Sequence, residues 1–381
     1  MSEFFNFRVE SGEGYWESVG FLRKWWRIYA DDGRWAPPAW ASLRQALVSK
    51  RFAHLQRGRP RLIALEALPR RRSQASGQPL STFGHGALME QPVAAAVALL
   101  DPRRTDGAAH LALPHVANNR ESLERLLYAV QEQLAHEGIR RLILPVGLSP
   151  YLGTGVLQDH FHRVPPLYAP YAPPYVPELF TTVCRPLGRS LLFALEPGSH
   201  AAAAPPTSGP AKIHPLDPNR LGADLLPLFS RTVPSWAGFP PPDELEVEFL
   251  LRWILHLPAL AWVAEIDGQS VGYLLTQPDG SELLRRSRGG RSLLGRLQLR
   301  ILELRQPHSV RVLFMGVDPE HRRRGIGRQL WQQMMAAGPV NGWQSVTVGP
   351  LPSTAGDGIN FLTALGLASR ETYLLHRYDF D

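Results

Sequence analysis

The sequence predicts an α/β (α+β) protein of two domains, and three features predict it. Strand-like and helix-like apolar patterns alternate along the 381 residues, as they do where sheets are covered by helices. Residues 196–210, EPGSHAAAAPPTSGP, carry Ala, Pro, Ser and Gly without periodicity and read as a linker. Residues 310–337, VRVLFMGVDPEHRRRGIGRQLWQQMMAA, read as a strand, a basic glycine-bearing turn and a helix. The expected organisation is one domain over 1–195, the linker 196–210, and a second domain over 211–381.

The chain is long enough for two domains with sizeable cores. At 44% apolar and 20% charged residues it has the composition of a globular protein. The longest uncharged apolar run, Pro92 to Leu100, is too short for a bilayer, so no transmembrane segment is expected. The opening MSEFFNFRVESGEG has no basic n-region and no signal-like apolar run. A single cysteine, Cys184, fits a reducing compartment, and the expected location is cytoplasmic. Cys184 itself reads as a small buried apolar residue, with a nucleophile as the functional alternative. The net charge of +7 points to anionic ligands. The basic residues are scattered rather than gathered in a stripe, which argues against nucleic acid as the partner.

In the first domain, Phe21, Leu22, Trp25 and Trp26 suit an amphipathic helix that Asp31-Asp32-Gly33 breaks. Leu62 to Leu68 reads as a strand, and Arg70 to Pro79 as a basic connector at a hairpin tip. From Asn119 to Glu137, Leu123, Leu126, Leu127, Val130 and Leu134 share one helix face, and Gly138 closes the helix. Arg141 to Val146 follows as a strand. The next stretch interleaves prolines with Tyr168, Tyr171 and Tyr175, which read as packing on Pro-rich loops rather than as a base-stacking platform.

In the second domain a helix is expected over Arg220 to Arg231, and Trp236 and Phe239 follow in a Pro-rich loop. Asp243 to His256 has an acidic first turn with Leu245, Phe249 and Trp253 on one face, which predicts a helix. Ala261 to Ile266 and Ser270 to Thr276 flank Asp267-Gly268, a hairpin signal. Glu282 to Arg305 combines seven arginines with Leu293, Leu294, Leu297, Ile301 and Leu304 at helical spacing. It reads as an amphipathic surface helix, with partner, membrane-surface or RNA binding as functional alternatives. Ser345 to Val348 is a strand, Gly349 to Gly358 a loop, Asn360 to Leu365 a short helix, and Tyr373 to Phe380 a last strand.

The physics of the 310–337 stretch favours an anion. A helix N-terminus leaves its first N–H groups unpaired at the positive end of the macrodipole. Gly325 and Gly327 have no Cβ, so a phosphate can come close to the backbone. Arg322, Arg323 and Arg324 add charge without using those N–H groups.

Arg322-x-x-Gly325-x-Gly327, after an apolar strand ending in Val317-Asp318-Pro319, resembles the acetyl-CoA motif of the GNAT acyltransferase superfamily, Q/R-x-x-G-x-G/A. The order helix, helix, hairpin, strand, cofactor helix is also the GNAT order. Phe361-Leu362-Thr363-Ala364-Leu365-Gly366-Leu367 resembles the family's FYEKLGF segment, with Leu362 in the tyrosine position. The Pro- and Tyr-rich passage from Gly147 to Phe180, with Trp35-Ala36-Pro37-Pro38, resembles the N-terminal part of bacterial GNAT-like proteins, and since no second copy of the turn lies between Asn119 and Leu187 the resemblance is to a tandem GNAT-like protein with a degenerate N-terminal copy.

The resemblance implies two GNAT-like domains, each a mixed, mostly antiparallel twisted sheet flanked by helices. It implies that Met315 and Val317 pair with the pantetheine arm of acetyl-CoA. The residues from Arg322 to Arg328 (Arg322, Arg323, Arg324, Gly325, Ile326, Gly327 and Arg328) would hold the pyrophosphate. The acetyl group would pass directly to an amine on a small molecule or peptide, with no metal. Backbone donors would face the developing oxyanion. The strand before the motif often carries a carboxylate or histidine in relatives; here the matching positions are Ser309 and Arg311. His308 and Tyr373 are the candidate base and acid, and Trp236 and Phe239 the expected acceptor floor. A non-catalytic acyl-CoA-binding or interaction module is the alternative class. An aminoacyl transferase using charged tRNA is a third, although that class generally lacks the Arg-x-x-Gly-x-Gly turn.

Overall fold

The computed structural model describes residues 6–12, 14–49, 51–68, 91–195, 209–217, 225–233, 236–254, 260–303 and 307–380. The basic connector from Arg70 to Pro79 and most of the linker, 196–208, lie outside them.

The strands are β1 (Asn6–Gly12), β2 (Arg61–Leu68), β3 (Gln91–Leu99), β4 (Ala108–Val116), β5 (Arg141–Val146), β6 (Val156–Leu157), β7 (Arg185–Leu195), β8 (Lys212–Pro215), β9 (Leu260–Ile266), β10 (Gln269–Pro278), β11 (Ser309–Val317), β12 (Ser345–Pro352) and β13 (Ala368–Asp379). They form one sheet in the order β1-β2-β3-β4-β5-β13-β7-β12-β11-β10-β9-β8, with β6 paired to β13 off this path. The order reads the same from both ends once β1 is matched with β8, β2 with β9, and so on to β7 with β13. The two halves of the chain are thus one topology repeated about a pseudo-two-fold between β13 and β7. The pairings are antiparallel except β4 with β5 and β11 with β12, which occupy equivalent places.

The halves also exchange their last strands. β7 pairs with β12, and β13 pairs with β5. Each half therefore completes its sheet with a strand of the other, which no sequence pattern announces.

The helices are α1 (Tyr15–Ile28), α2 (Trp40–Leu47), α3 (Ala53–Arg57), α4 (Arg120–Leu134), α5 (Val176–Val183), α6 (Leu226–Thr232), α7 (Glu244–Ile254), α8 (Ser281–Arg286), α9 (Leu293–Glu303), α10 (Ile326–Ala337) and α11 (Gly356–Ala364). On one face of the sheet, α1, α2, α3, α6 and α7 share a single core that includes Trp25, Trp26, Phe229, Phe249 and Tyr273. On the other face α4 and α5 cover the first half, and α10 and α11 the second. The alanine-rich β3 follows from this sandwich: Ala94, Ala96 and Ala98 face α4, while Ala95 and Val97 face α1. Strand side chains alternate between faces, and small ones let helices approach from both sides.

Several expected elements have other bounds. Strands β3 and β4 carry no clean alternation, because a sheet covered on both faces has apolar residues at successive positions. The single helix expected over Glu282 to Arg305 is two helices, α8 and α9. Arg288, Gly289 and Gly290 have φ of 47°, 61° and 67°, which breaks the helical path between them. Leu293, Leu294 and Leu297 are 77%, 74% and 57% exposed, so the apolar face of α9 points outward rather than onto the domain. The Asp267-Gly268 hairpin is as expected: Gln269 faces Ile266 and both turn residues have positive φ, a type I′ turn.

Candidate active site

The parallel pairing of β11 with β12 ends at Val312 opposite Val348. Beyond that point β11 stays with β10 as far as Val317 opposite Gly272, while β12 continues along β7 alone as far as Pro352 opposite Ser190. The two strands diverge and a V-shaped opening forms between them. A bulge at Leu313, between the pairs Thr276–Val312 and Leu275–Phe314, sits at the point of divergence.

From the end of β11 the chain passes through a 3-10 turn, Pro319–His321, capped by Asp318 Oδ1 on the Glu320 N–H at 3.1 Å. Arg231 holds the other Asp318 oxygen at 2.9 Å. Arg322 Nε donates to the Val317 carbonyl at 3.2 Å, which ties the turn back to the strand. Arg323 and Gly325 then take left-handed conformations, with φ of 62° and 83°, and α10 starts. Its first backbone bond runs from Gln329 N to Gly325 O, so the N–H groups of Ile326, Gly327 and Arg328 precede any intrahelical acceptor. A Cβ at Gly325 would meet nothing within 4 Å, whereas one at Gly327 would touch Met315 and Phe361 at 3.5 Å. Ile326, Leu330, Trp331 and Met334 bury the other side of α10 in the core and fix its direction. The N–H groups, the positive helix end and the arginines thus open on the mouth of the cleft.

A cavity of about 910 Å³ joins this turn to the opening between the strands. Met315, Val317, Arg322, Arg323, Gly325, Ile326, Gly327 and Arg328 all line it, as does Trp236. Arg324 belongs to the turn but is not part of the lining. Leu362, in the family's tyrosine position, also lines it and is 3% exposed. The described residues include no group of His, Cys, Asp or Glu arranged to hold a metal ion.

Three sequence candidates lie elsewhere. His308 precedes β11 at the end remote from the opening; it is exposed, with Nδ1 3.4 Å from the Gly342 carbonyl. Tyr373 is fully buried in the core of the first half, because the strand exchange carries β13 there. Its hydroxyl donates to Glu371 Oε2 at 2.6 Å, and burial together with that carboxylate holds the phenol well above its ordinary pKa. Phe239 is no acceptor floor: it is fully buried against His110 at 4.8 Å under Arg104, anchoring its loop to the first half. Burial pushes the Cys184 thiol up to about 12, as for a packed apolar residue.

Sequence reading missed the contribution of the first half. Tyr151, Leu152, Gly153, Thr154 and Tyr168 line the same cavity. Burial raises the Tyr168 phenol to about 12. Tyr171 and Tyr175 are packing residues, bonded to Asp32 and to the Val116 carbonyl respectively. Only the Tyr-Pro composition of 150–175 hinted at a wall, and nothing local says which tyrosine faces inward.

The equivalent place in the first half is closed. The β4–β5 pairing ends at Ala112 opposite Val146, but the following β4 backbone is already bonded to side chains. Trp25 Nε1 donates to Leu113 O at 2.7 Å, the Val116 N–H donates to Tyr29 at 3.3 Å, and Tyr175 donates to Val116 O at 3.0 Å. The turn is reduced to residues 117–119, and Asn119 Oδ1 caps α4 through the Glu121 N–H at 2.9 Å. A helix end capped by its own chain offers little to a phosphate.

Residues 225–348 match the Acetyltransferase (GNAT) family. A tandem GNAT protein from the clavulanic acid biosynthesis pathway has a similar fold, with a TM-score of 0.57 at 13% identity over 98% of both chains. The glucosamine N-acetyltransferase region of a fungal multi-domain beta-N-acetylglucosaminidase superposes with a TM-score of 0.55 at 14% identity, over 99% of this chain and 38% of that one. A probable N-acyltransferase of unknown function from Enterococcus faecalis gives 0.52 at 7% identity, over 98% of this chain and 72% of that one. No curated protein is significantly similar in sequence. The repeated topology and these likenesses agree: the chain has a tandem GNAT-like fold, and residues 225–348 of its second half match the GNAT family.

Proposed function

We propose that this protein transfers an acetyl group from acetyl-CoA to an amine, using the second half alone for the donor. The observation that carries the reading is the set of N–H groups at Ile326, Gly327 and Arg328, which lack backbone partners behind a left-handed Gly325 and open onto the diverging strands. That set fits a pyrophosphate: three donors, the positive helix end and the flanking Arg322, Arg323, Arg324 and Arg328. The edge of β11 near Met315 and Val317 fits the pantetheine arm as an added strand. Acetyl-CoA would supply the thioester: the amine nitrogen bonds the acetyl carbon, the carbon–sulfur bond breaks, and the proton lost by nitrogen ends on sulfur. The chain's part is to hold both partners in line and exclude water, and positioning of this kind supplies a large share of a transfer rate.

The test is calorimetric titration with CoA followed by turnover of an amine panel with acetyl-CoA. Binding with CoA release supports the reading. The second reading, an acyl-CoA-binding or interaction protein, is favoured by the surroundings of Leu362: His308 and Tyr373 are both outside the cavity. It predicts tight CoA binding and no release from any amine.

A further inference from the structure

Among the described residues that line the cavity, one charged side chain is buried, and neither the fold nor the donor site accounts for it. That residue, Arg311, is 3% exposed. Val310 and Val312 point into the core beneath α10, so by strand alternation Arg311 points to the opposite face, toward the first half. One terminal nitrogen donates to the Pro166 carbonyl at 3.3 Å and the other to the Gly349 carbonyl at 2.5 Å. Its Nε is buried without a partner. No carboxylate among the described residues lies within ion-pair distance. The two acids that act on it through space are committed elsewhere: Asp279 accepts from Leu167 N and Ser281 N, and Glu371 from Arg370 and Tyr373. In register beside it on β12 is Thr347, also buried, with Oγ1 unpartnered. Two residues earlier on that face, Ser309 and Ser345 satisfy each other at 2.8 Å.

A guanidinium does not shed its charge, and a buried charge without a counter-ion is strongly unfavourable. Substrate can provide the counter-ion. We infer that Arg311 binds the carboxylate of the acceptor, so that the acceptor is an amino acid, with amine and carboxylate in one molecule. Arg311 sits where β11 and β12 part, beside the Pro166–Tyr168 segment, and lines the same cavity as Tyr151 to Thr154. Those aromatic walls, with Trp236, suit an apolar side chain. The inference rests on the transfer reading above and adds the acceptor class to it.

The test compares matched pairs: L-phenylalanine with 2-phenylethylamine, and L-leucine with 3-methylbutylamine. Titration of phenylacetate provides a binding readout independent of turnover. The amino acids are expected to exceed the plain amines in kcat/KM by roughly 100-fold, the worth of a charge-assisted bond or two. Arg311→Met should erase that preference and the phenylacetate binding, while the affinity for CoA stays as in the wild type. Arg311→Lys, which keeps the charge without the fork, should restore part of both. Equal use of amines with and without carboxylate, or phenylacetate binding unchanged in Arg311→Met, overturns the assignment. A preference for succinyl-CoA over acetyl-CoA that depends on Arg311 overturns it too, since the carboxylate would then belong to the donor. Failure of the wild type to bind CoA sinks the transfer reading itself, a result visible before any acceptor is added.

Discussion

Gly325→Val separates backbone strain from ligand access. Gly325 has φ of 83°, and a Cβ there meets no neighbouring atom within 4 Å. Without ligand the variant therefore bears only the left-handed strain of an L-residue, roughly 1–2 kcal/mol, and should lose a few degrees of Tm. With ligand, the valine occupies the approach to the N–H groups of Ile326, Gly327 and Arg328. Losing two charge-assisted bonds at about 1.5–3 kcal/mol each weakens CoA binding by roughly 10² to 10⁴-fold. The structure supplies a matched control. Gly342 has φ of 68°, again with nothing within 4 Å of its Cβ. It lies past the other end of α10, about 18 Å away by helical rise. Gly342→Val should show the same thermal loss and unchanged CoA affinity by calorimetry. Undiminished binding by Gly325→Val, or equal losses in both variants, would refute the placement of the pyrophosphate.

Three further outcomes are expected. Glu246, fully buried on α7, accepts from Arg103 at 2.7 Å and Ser149 at 2.8 Å; Glu246→Ala leaves Ser149 unpaired and takes one of two hydrogen-bonded carboxylates from Arg103, which keeps Asp101, and should cost about 1–3 kcal/mol in urea unfolding, whereas a loss below about 0.5 kcal/mol, the size of a surface change, would contradict this. His110 and His115 are held neutral by burial, with pKa lowered to about 3 in both; the unfolded chain takes up those protons below about pH 6.5, so stability is full above that pH and falls by up to about 1.4 kcal/mol per pH unit for each as pH drops toward 3. His115→Phe should flatten the slope between pH 6.5 and 4 by one such increment, and an unchanged slope would show that His115 is not held neutral. Finally, one CoA is expected per chain, in Trp25→Ala as in the wild type, because Asn119 still caps α4 when Trp25 is gone; a stoichiometry of two in either protein would show that the first cleft is open.

The α10 turn was legible because everything it needs is local. An arginine, two glycines and a following amphipathic run are contiguous, and a helix N-terminus follows from them whatever surrounds it. The Asp267-Gly268 hairpin and α4 were legible for the same reason: turn chemistry and a 3.6-residue period are properties of short segments. The break between α8 and α9 was within reach, since Gly289-Gly290 is visible in the chain, but the leucines around it continue the helical spacing and hide it.

The local pattern of residues sets the basic, glycine-bearing helix start that opens on the cleft, and its absence from the first half. The opposite end of the cavity is set by the tertiary fold. The strand exchange takes Tyr373 into the other core, brings Tyr151 and Tyr168 against β11, turns Phe239 into an anchor, and leaves Arg311 buried without a counter-ion. The physical reason is range. Helix caps and turns are fixed by neighbours a few residues away, whereas the cavity wall of Tyr151 and Tyr168 meets β11 across more than a hundred residues of chain.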